Sequence, residues 1–230
     1  MGFQTIEPHN LVEQVAEELT RAIVGGRLLP GQRLGEAEIA RQMGISRAPV
    51  REAARLLEQR GLLVSHPNRG FSVRRPTLEE VDELYGLRLC IERYAAEEML
   101  KRQEDFTHPL RQQYQRLMRA ARTQGGSTVV QEDLAFHLLL CELSGNRRLH
   151  RLFSDLAGEI HLVIALIGRI MNDPEQLALA HRPLLEAAES RDGARLRKEI
   201  DYHITVAWQE VRALFRERLS QAASTGEGPP

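Results

Sequence analysis

Asp133 and His137 lie four residues apart in the segment Asp133-Leu134-Ala135-Phe136-His137. That spacing puts a carboxylate and an imidazole on one face of a helix, where both can project inward together. His181 opens the second half of a later helical segment, and His203 lies midway along the last one. Asp192-Gly193 breaks the chain between them, so those two helices can pack antiparallel. Three imidazoles and one carboxylate are a ligand set for a borderline divalent metal such as zinc, nickel or manganese. Each piece has a plainer reading by itself. An i,i+4 Asp–His pair is commonly a hydrogen bond on a helix surface, and a single histidine on a half-apolar helix is commonly a satisfied core residue.

A second constellation is Ser46-Arg47-Ala48-Pro49-Val50-Arg51, which opens a short helix after the Gly44-Ile45 turn. Arg47 and Arg51 share one helical face, and the planar guanidinium fork can bond guanine O6 and N7 together or hold a phosphate. Ser46 is placed to cap the helix and to donate to phosphate. Arg69 and Gly70 stand at the tip of a predicted hairpin, where glycine permits close approach to a duplex backbone or minor groove. The competing account is a solvated arginine face bridging to Glu52 or Glu58, with Gly70 serving only the hairpin turn.

The elements that must position these residues divide at Pro76. In front, Leu11, Val15, Leu19 and Ile23 mark one helix, and Ile39, Ala40 and Met43 mark a short second one stopped by Gly44. A third helix runs from Ser46 to about Arg60, Leu29–Leu34 is a turn segment, and Leu62–Val64 and Phe71–Val73 are two strands around a turn at His66–Gly70. Two short helices separated by a glycine turn, then a hairpin, form a winged helix-turn-helix. Behind, helices are predicted near 77–102, 107–123, 127–143, 147–170, 174–190 and 193–220, as an all-α antiparallel bundle. Thr77 and Glu80 are spaced as a capping box, Asn146 caps the helix from Arg147, and breaks fall at Gly125-Gly126 and Asn172-Asp173-Pro174. Residues 221–230 have the composition of a disordered tail.

The charge follows the same division. The 230 residues carry a formal net charge of −1, which excludes a uniformly basic nucleic-acid binder. Residues 1–76, however, hold 11 arginines and 8 acidic residues, net +3, whereas residues 77–230 hold 20 basic and 24 acidic residues, net −4. A basic front is joined to an acidic back. The first ten residues lack the apolar stretch of a signal peptide, and no apolar run approaches a membrane span. A reducing cytoplasm is therefore expected, with Cys90 and Cys141 as unpaired thiols in the core.

Leu28-Leu29-Pro30-Gly31-Gln32-Arg33-Leu34, Glu38-Ile39-Ala40, Ile45 through Ala53, and Leu57 through Leu62 leading to Asn68-Arg69-Gly70 together resemble the signature of the GntR family of bacterial transcription regulators. The resemblance implies that Ser46, Arg47, Ala48 and Arg51 face double-stranded operator DNA, with the wing around His66 and Gly70. Ala37 stands where many members carry a DNA-contacting arginine, so that contact is not carried over. Residues 77–220 resemble the helical FCD domain of the FadR subfamily through Leu87-Arg88-Leu89-Cys90-Ile91-Glu92, Asp133–His137, Leu143-Ser144-Gly145-Asn146, His181 and His203. This implies that Asp133, His137, His181 and His203 hold a divalent metal, zinc foremost, with nickel, manganese or iron compatible. Arg88 is implied to point toward an effector pocket, against the alternative of an i,i+4 ion pair with Glu92. His150 and His161 match no ligand of the family and are taken as structural.

The expected protein is thus a mainly α cytoplasmic homodimer. Its winged helix-turn-helix spans residues 1–76, and its effector-binding bundle spans residues 77–220. It would be a repressor whose operator binding responds to a small organic acid at the metal, with no membrane involved. Two competitors stand beside it: a metal-free relative sensing an acyl or apolar ligand, and a metal-dependent hydrolase, which here would lack an HExxH motif or a nucleophile elbow.

Overall fold

A computed structural model describes residues 10–123, 126–168 and 173–225. They form two compact units divided between Arg75 and Pro76.

In the first unit, α1 (Asn10–Val24) buries Val15, Ala16, Leu19 and Ile23 along one stripe. That stripe packs on α3 (Arg47–Gln59), whose Val50, Ala53, Ala54 and Leu57 are wholly buried. Between them α2 (Glu36–Met43) ends at Gly44, whose φ of +67° turns the chain while its N–H reaches back to the α2 carbonyls. Ser46 occupies the cap position of α3 in extended backbone, but its hydroxyl makes no capping bond. One of its two usual donors is missing, because Pro49 three residues on has no N–H.

Strands β1 (Leu63–His66) and β2 (Gly70–Val73) pair antiparallel, with His66 opposite Gly70. The hairpin loop is therefore three residues, tighter than the five expected, with Asn68 and Gly70 both at positive φ. The segment read as a turn also joins the sheet, because Arg33 bridges Ser72 and Leu34 N–H donates to Phe71 O at 2.8 Å.

Every element among the described residues of the second unit is a helix. Thr77 and Glu80 close a reciprocal capping box on α4 (Leu78–Lys101). Against α4 pack α10 (Gly193–Thr225) and α6 (Gly126–Leu143), and α6 is flanked by α5 (Thr107–Thr123) and α7 (Arg147–Gly168). Asn146 Oδ1 caps α7 by accepting from the N–H groups of Arg148 and Leu149. The helix expected over 174–190 is two, α8 (Pro174–Leu179) and α9 (Arg182–Glu189). Pro183 has no N–H to donate to Leu179 and interrupts the ladder there, which leaves His181 at the joint. Helix α10 continues through Thr225 into the segment expected as a tail. Residues 226–230 and the expected breaks at Gly125 and Asn172 lie outside the described residues. Cys141 is buried, but Cys90 is exposed. It sits on the side of α4 opposite the stripe formed by Tyr85, Arg88, Glu92 and Ala95, so the expectation of two core thiols holds for one. No helix among the described residues is long and apolar enough to cross a membrane.

Candidate metal centre and nucleic-acid interface

Helix α6 carries Asp133 and His137, the α8–α9 joint carries His181, and α10 carries His203. The Nε2 atoms of His181 and His203 each lie 3.3 Å from His137 Nε2. Asp133 places Oδ1 3.2 Å from His181 Nε2 and Oδ2 4.0 Å from His137 Nε2. His137, His181 and Asp133 are buried and His203 half-buried. The edge of Phe136 packs on the His181 ring at 5.0 Å between centroids.

Hydrogen bonds behind two of the rings decide what their inner nitrogens can do. His137 Nδ1 donates to Glu92 Oε2 at 2.5 Å, and His181 Nδ1 donates to the Leu177 carbonyl at 3.1 Å. A carbonyl can only accept, and Glu92 is ion-paired with Arg88 through its other oxygen at 2.7 Å. Both Nε2 atoms therefore present lone pairs, facing each other and the Asp133 carboxylate. Acceptors opposed at such distances repel unless a cation lies among them. A proton is a poor candidate. Burial first, then Arg88, holds the His137 imidazole well below its ordinary range, and burial followed by the other two histidines does the same for His203. Burial also lowers His181, against the pull of Asp133. A divalent metal suits the donor set: two nitrogens about 2.1 Å from one ion stand roughly 3.3 Å apart when they subtend about 105°. The Glu92–His137 bond is the carboxylate contact that such ligands characteristically carry behind them.

A cavity of about 260 Å³ adjoins this centre, lined by Arg88, Asp133 and His203 together with apolar groups including Ile164, Leu177 and Val206. Arg88 does both things the sequence left open, since it pairs with Glu92 and also lines the cavity. Burial acts to lower the Arg88 pKa, but Glu92, Tyr85 and Asp133 more than reverse this and hold it above the usual arginine value. Burial pushes the Tyr85 hydroxyl up to about 12. Glu92 was visible in the sequence only as a possible partner of Arg88. That its second oxygen serves a histidine on another helix had no signal in the spacing.

In the first unit Ser46, Arg47, Ala48 and Arg51 are all exposed at the head of α3. Arg47, Arg51 and Arg55 form one stripe opposite the buried Val50, Ala54 and Leu57. Among the described residues none of the three arginines forms an ion pair, and Glu58 instead accepts the Ser65 N–H at 3.1 Å. The hairpin carries His66, Arg69 and Gly70, with His66 Nε2 2.8 Å from Ser72 Oγ. Gly70 has φ +74°, and a Cβ there would lie 3.0 Å from Glu36 Oε1, so a side chain would be strained. A groove beside the hairpin adds Arg33 and Arg75 to His66 and Arg69. Neither added arginine stood out in the sequence: pairing of the 31–34 segment with β2 brings Arg33 there, and Arg75, just past β2, donates to the Pro30 carbonyl at 3.3 Å.

The gntR family of bacterial regulatory proteins matches residues 11–73, and the FCD domain matches residues 83–206. The chain is 28% identical over 217 residues to the uncharacterized HTH-type transcriptional regulator YdhC of Bacillus subtilis, covering 94% of this chain and 97% of that one. It is 26% identical over 206 residues to the HTH-type transcriptional repressor RspR of Escherichia coli, covering 89% and 90%. Among solved structures, E. coli McbR/YncC shares the fold at a TM-score of 0.71 and 21% identity, covering 93% of this chain and 99% of that one. With both domains present in this order, the chain belongs to the GntR family, as an FCD-domain member, and is a DNA-binding transcriptional regulator.

Proposed function

We propose that this regulator is a repressor whose hold on a double-stranded operator is altered by a small organic acid bound beside a divalent metal in the helical unit. The observation that carries the proposal is the convergence of the His137, His181 and His203 nitrogens with Asp133 at the wall of a cavity. These four residues would hold the ion, whether zinc, nickel, manganese or iron. When bound, the metal supplies a Lewis-acid anchor for a carboxylate. Arg88 lines the same cavity as its cation, and Glu92 fixes both Arg88 and the His137 tautomer. A cavity of about 260 Å³ suits a small acid better than an acyl chain, being below the roughly 300–1,000 Å³ of drug-sized pockets.

On the DNA side, Ser46, Arg47, Ala48 and Arg51 would enter the major groove, while His66, Arg69 and Gly70 would lie over the adjacent backbone or minor groove. Two copies would read the two halves of a short palindrome in the cytoplasm. An exposed stripe of Leu87, Cys90 and Tyr94 on α4 supports a face covered by a second copy. The ligand must bind the DNA-competent and DNA-incompetent arrangements with different affinity, since equal affinity shifts nothing.

The test is a thermal-shift screen of organic acids with and without divalent metal, followed by operator titration with each hit. Stabilisation that needs both metal and acid, together with a change in operator affinity, is expected. A protein purified without chelator that holds no metal, and whose His137→Ala variant answers its effector normally, would overturn the metal reading. Ester hydrolysis by the metal-loaded protein would make the centre catalytic instead.

A further inference from the structure

The cavity beside the histidine centre is lined by more negative charge than a site for simple organic anions would carry. Its lining includes Asp133, Glu199 and Glu210, and among the described residues Arg88 is its sole arginine or lysine. Arg88 is already balanced by Glu92 at 2.7 Å. A divalent ion would balance Asp133 and one further carboxylate, leaving one glutamate over. A monocarboxylate would then leave two net negative charges in the site, and a dicarboxylate three. A ligand carrying its own cation as well as a carboxylate leaves the single negative charge already present and adds none.

The placement of the two glutamates says where such a cation would sit. Glu199, His203, Val206 and Glu210 share one face of α10. At about 1.5 Å of rise per residue, Glu199 stands about 6 Å before His203 along the helix and Glu210 about 10 Å after it, so the two flank the histidine about 16 Å apart. Among the described residues neither glutamate has a cationic partner. Burial raises the Glu210 pKa, and an approaching cation would relieve the same cost. Tyr202, 68% exposed, also lines the cavity one turn from Glu199 and can offer its ring face to a cation. The site is defined by the cavity at the histidine centre, and the glutamates decide the charge of what fills it.

We infer that the effector is a carboxylate with a remote cationic group, an ω-amino or guanidino acid, whose carboxylate lies at the metal and Arg88 and whose cation lies beside Glu199 and Tyr202 on one side of His203 or beside Glu210 on the other. This rests on the metal–carboxylate reading above.

The test uses the full-length, zinc-loaded protein and three probes of one chain length: 6-aminohexanoate, hexanoate and adipate, titrated calorimetrically. We expect 6-aminohexanoate to bind at least 10-fold more tightly than hexanoate, with adipate weakest. Glu210→Gln and Glu199→Gln together should bring the amino acid to within about 3-fold of hexanoate while hexanoate binding survives, which also shows the double variant is folded. Metal-dependent hexanoate binding without any preference for the amino acid would refute this inference and leave the carboxylate reading standing. Failure of all three probes to bind in a metal-dependent way would refute both. Tighter binding of D-gluconate, lost in the same variants, would assign the glutamates to hydroxyl groups and overturn the cation.

Discussion

Glu92→Gln separates the role of charge from that of shape at the metal centre. Glu92 is completely buried, accepts from Arg88 Nε at 2.7 Å and from His137 Nδ1 at 2.5 Å, and has one oxygen for each. Glutamine keeps the size but offers one acceptor and one donor. The guanidinium can only donate, so the amide oxygen must turn to Arg88, and the amide NH₂ then faces His137. His137 answers by moving its proton to Nε2, which aims an N–H where a lone pair is required. Loss of a partner behind a metal-bound histidine typically costs 10–100-fold in affinity, and the forced tautomer places this variant at or beyond the upper end. Breaking a buried ion pair while the cation stays costs about 3–5 kcal/mol, so the metal-free variant should unfold at clearly lower denaturant. The assay is zinc competition against a chromophoric chelator, with circular dichroism confirming the fold and nitrogen chemical shifts reporting the His137 tautomer. Zinc affinity within about 3-fold of the parent in a folded variant would refute the argument that Glu92 sets the lone pairs.

Three further outcomes are expected. His161 is buried with Nε2 unpartnered among the described residues, and burial lowers its pKa to about 4. The native state therefore binds fewer protons than the unfolded chain between about pH 6.5 and 4, and stability present above that window is lost as pH falls through it. The loss amounts to about 3 kcal/mol by pH 4, read as the difference in urea denaturation between the parent and His161→Leu; parallel pH profiles would refute it. Arg47→Ala or Arg51→Ala should each cost about 1–3 kcal/mol of operator affinity with altered base preference, whereas Arg33→Ala or Arg75→Ala should weaken all sequences alike and flatten the salt dependence by about one unit. Fluorescence anisotropy across salt and operator variants distinguishes the two classes, and base-selective loss in Arg33→Ala would count against the groove. Removing the metal with a chelator should lower the melting temperature, since metal at about 1,000 times its dissociation constant contributes about 4 kcal/mol; an unchanged melt in metal-verified protein would speak against a buried centre.

Local rules made much of this legible in advance. The glycine turn before Ser46, the arginines four apart on α3, the Thr77–Glu80 capping box and the Asn146 cap depend on neighbours within a few residues, and each appears in the structure. The misreadings occurred where a local rule met a competing residue. Ser46 takes the cap position without capping, and Pro49 denies it one of its two usual donors. One predicted helix is two because Pro183 breaks its ladder, and that break is what delivers His181 to the centre.

The amino-acid sequence by itself determined the helical periodicities, the basic front and acidic back, and the identity of each donor, because all of these reside in side-chain type and short-range spacing. Only the tertiary structure decided that Asp133, His137, His181 and His203 meet within one site, that Glu92 joins Arg88 to His137, and that Glu199 and Glu210 line the same cavity. Those relations reach across the chain, 44 positions from His137 to His181 and 45 from Glu92 to His137, and packing of α4, α6, α8, α9 and α10 must bring their helices together before any of them exists.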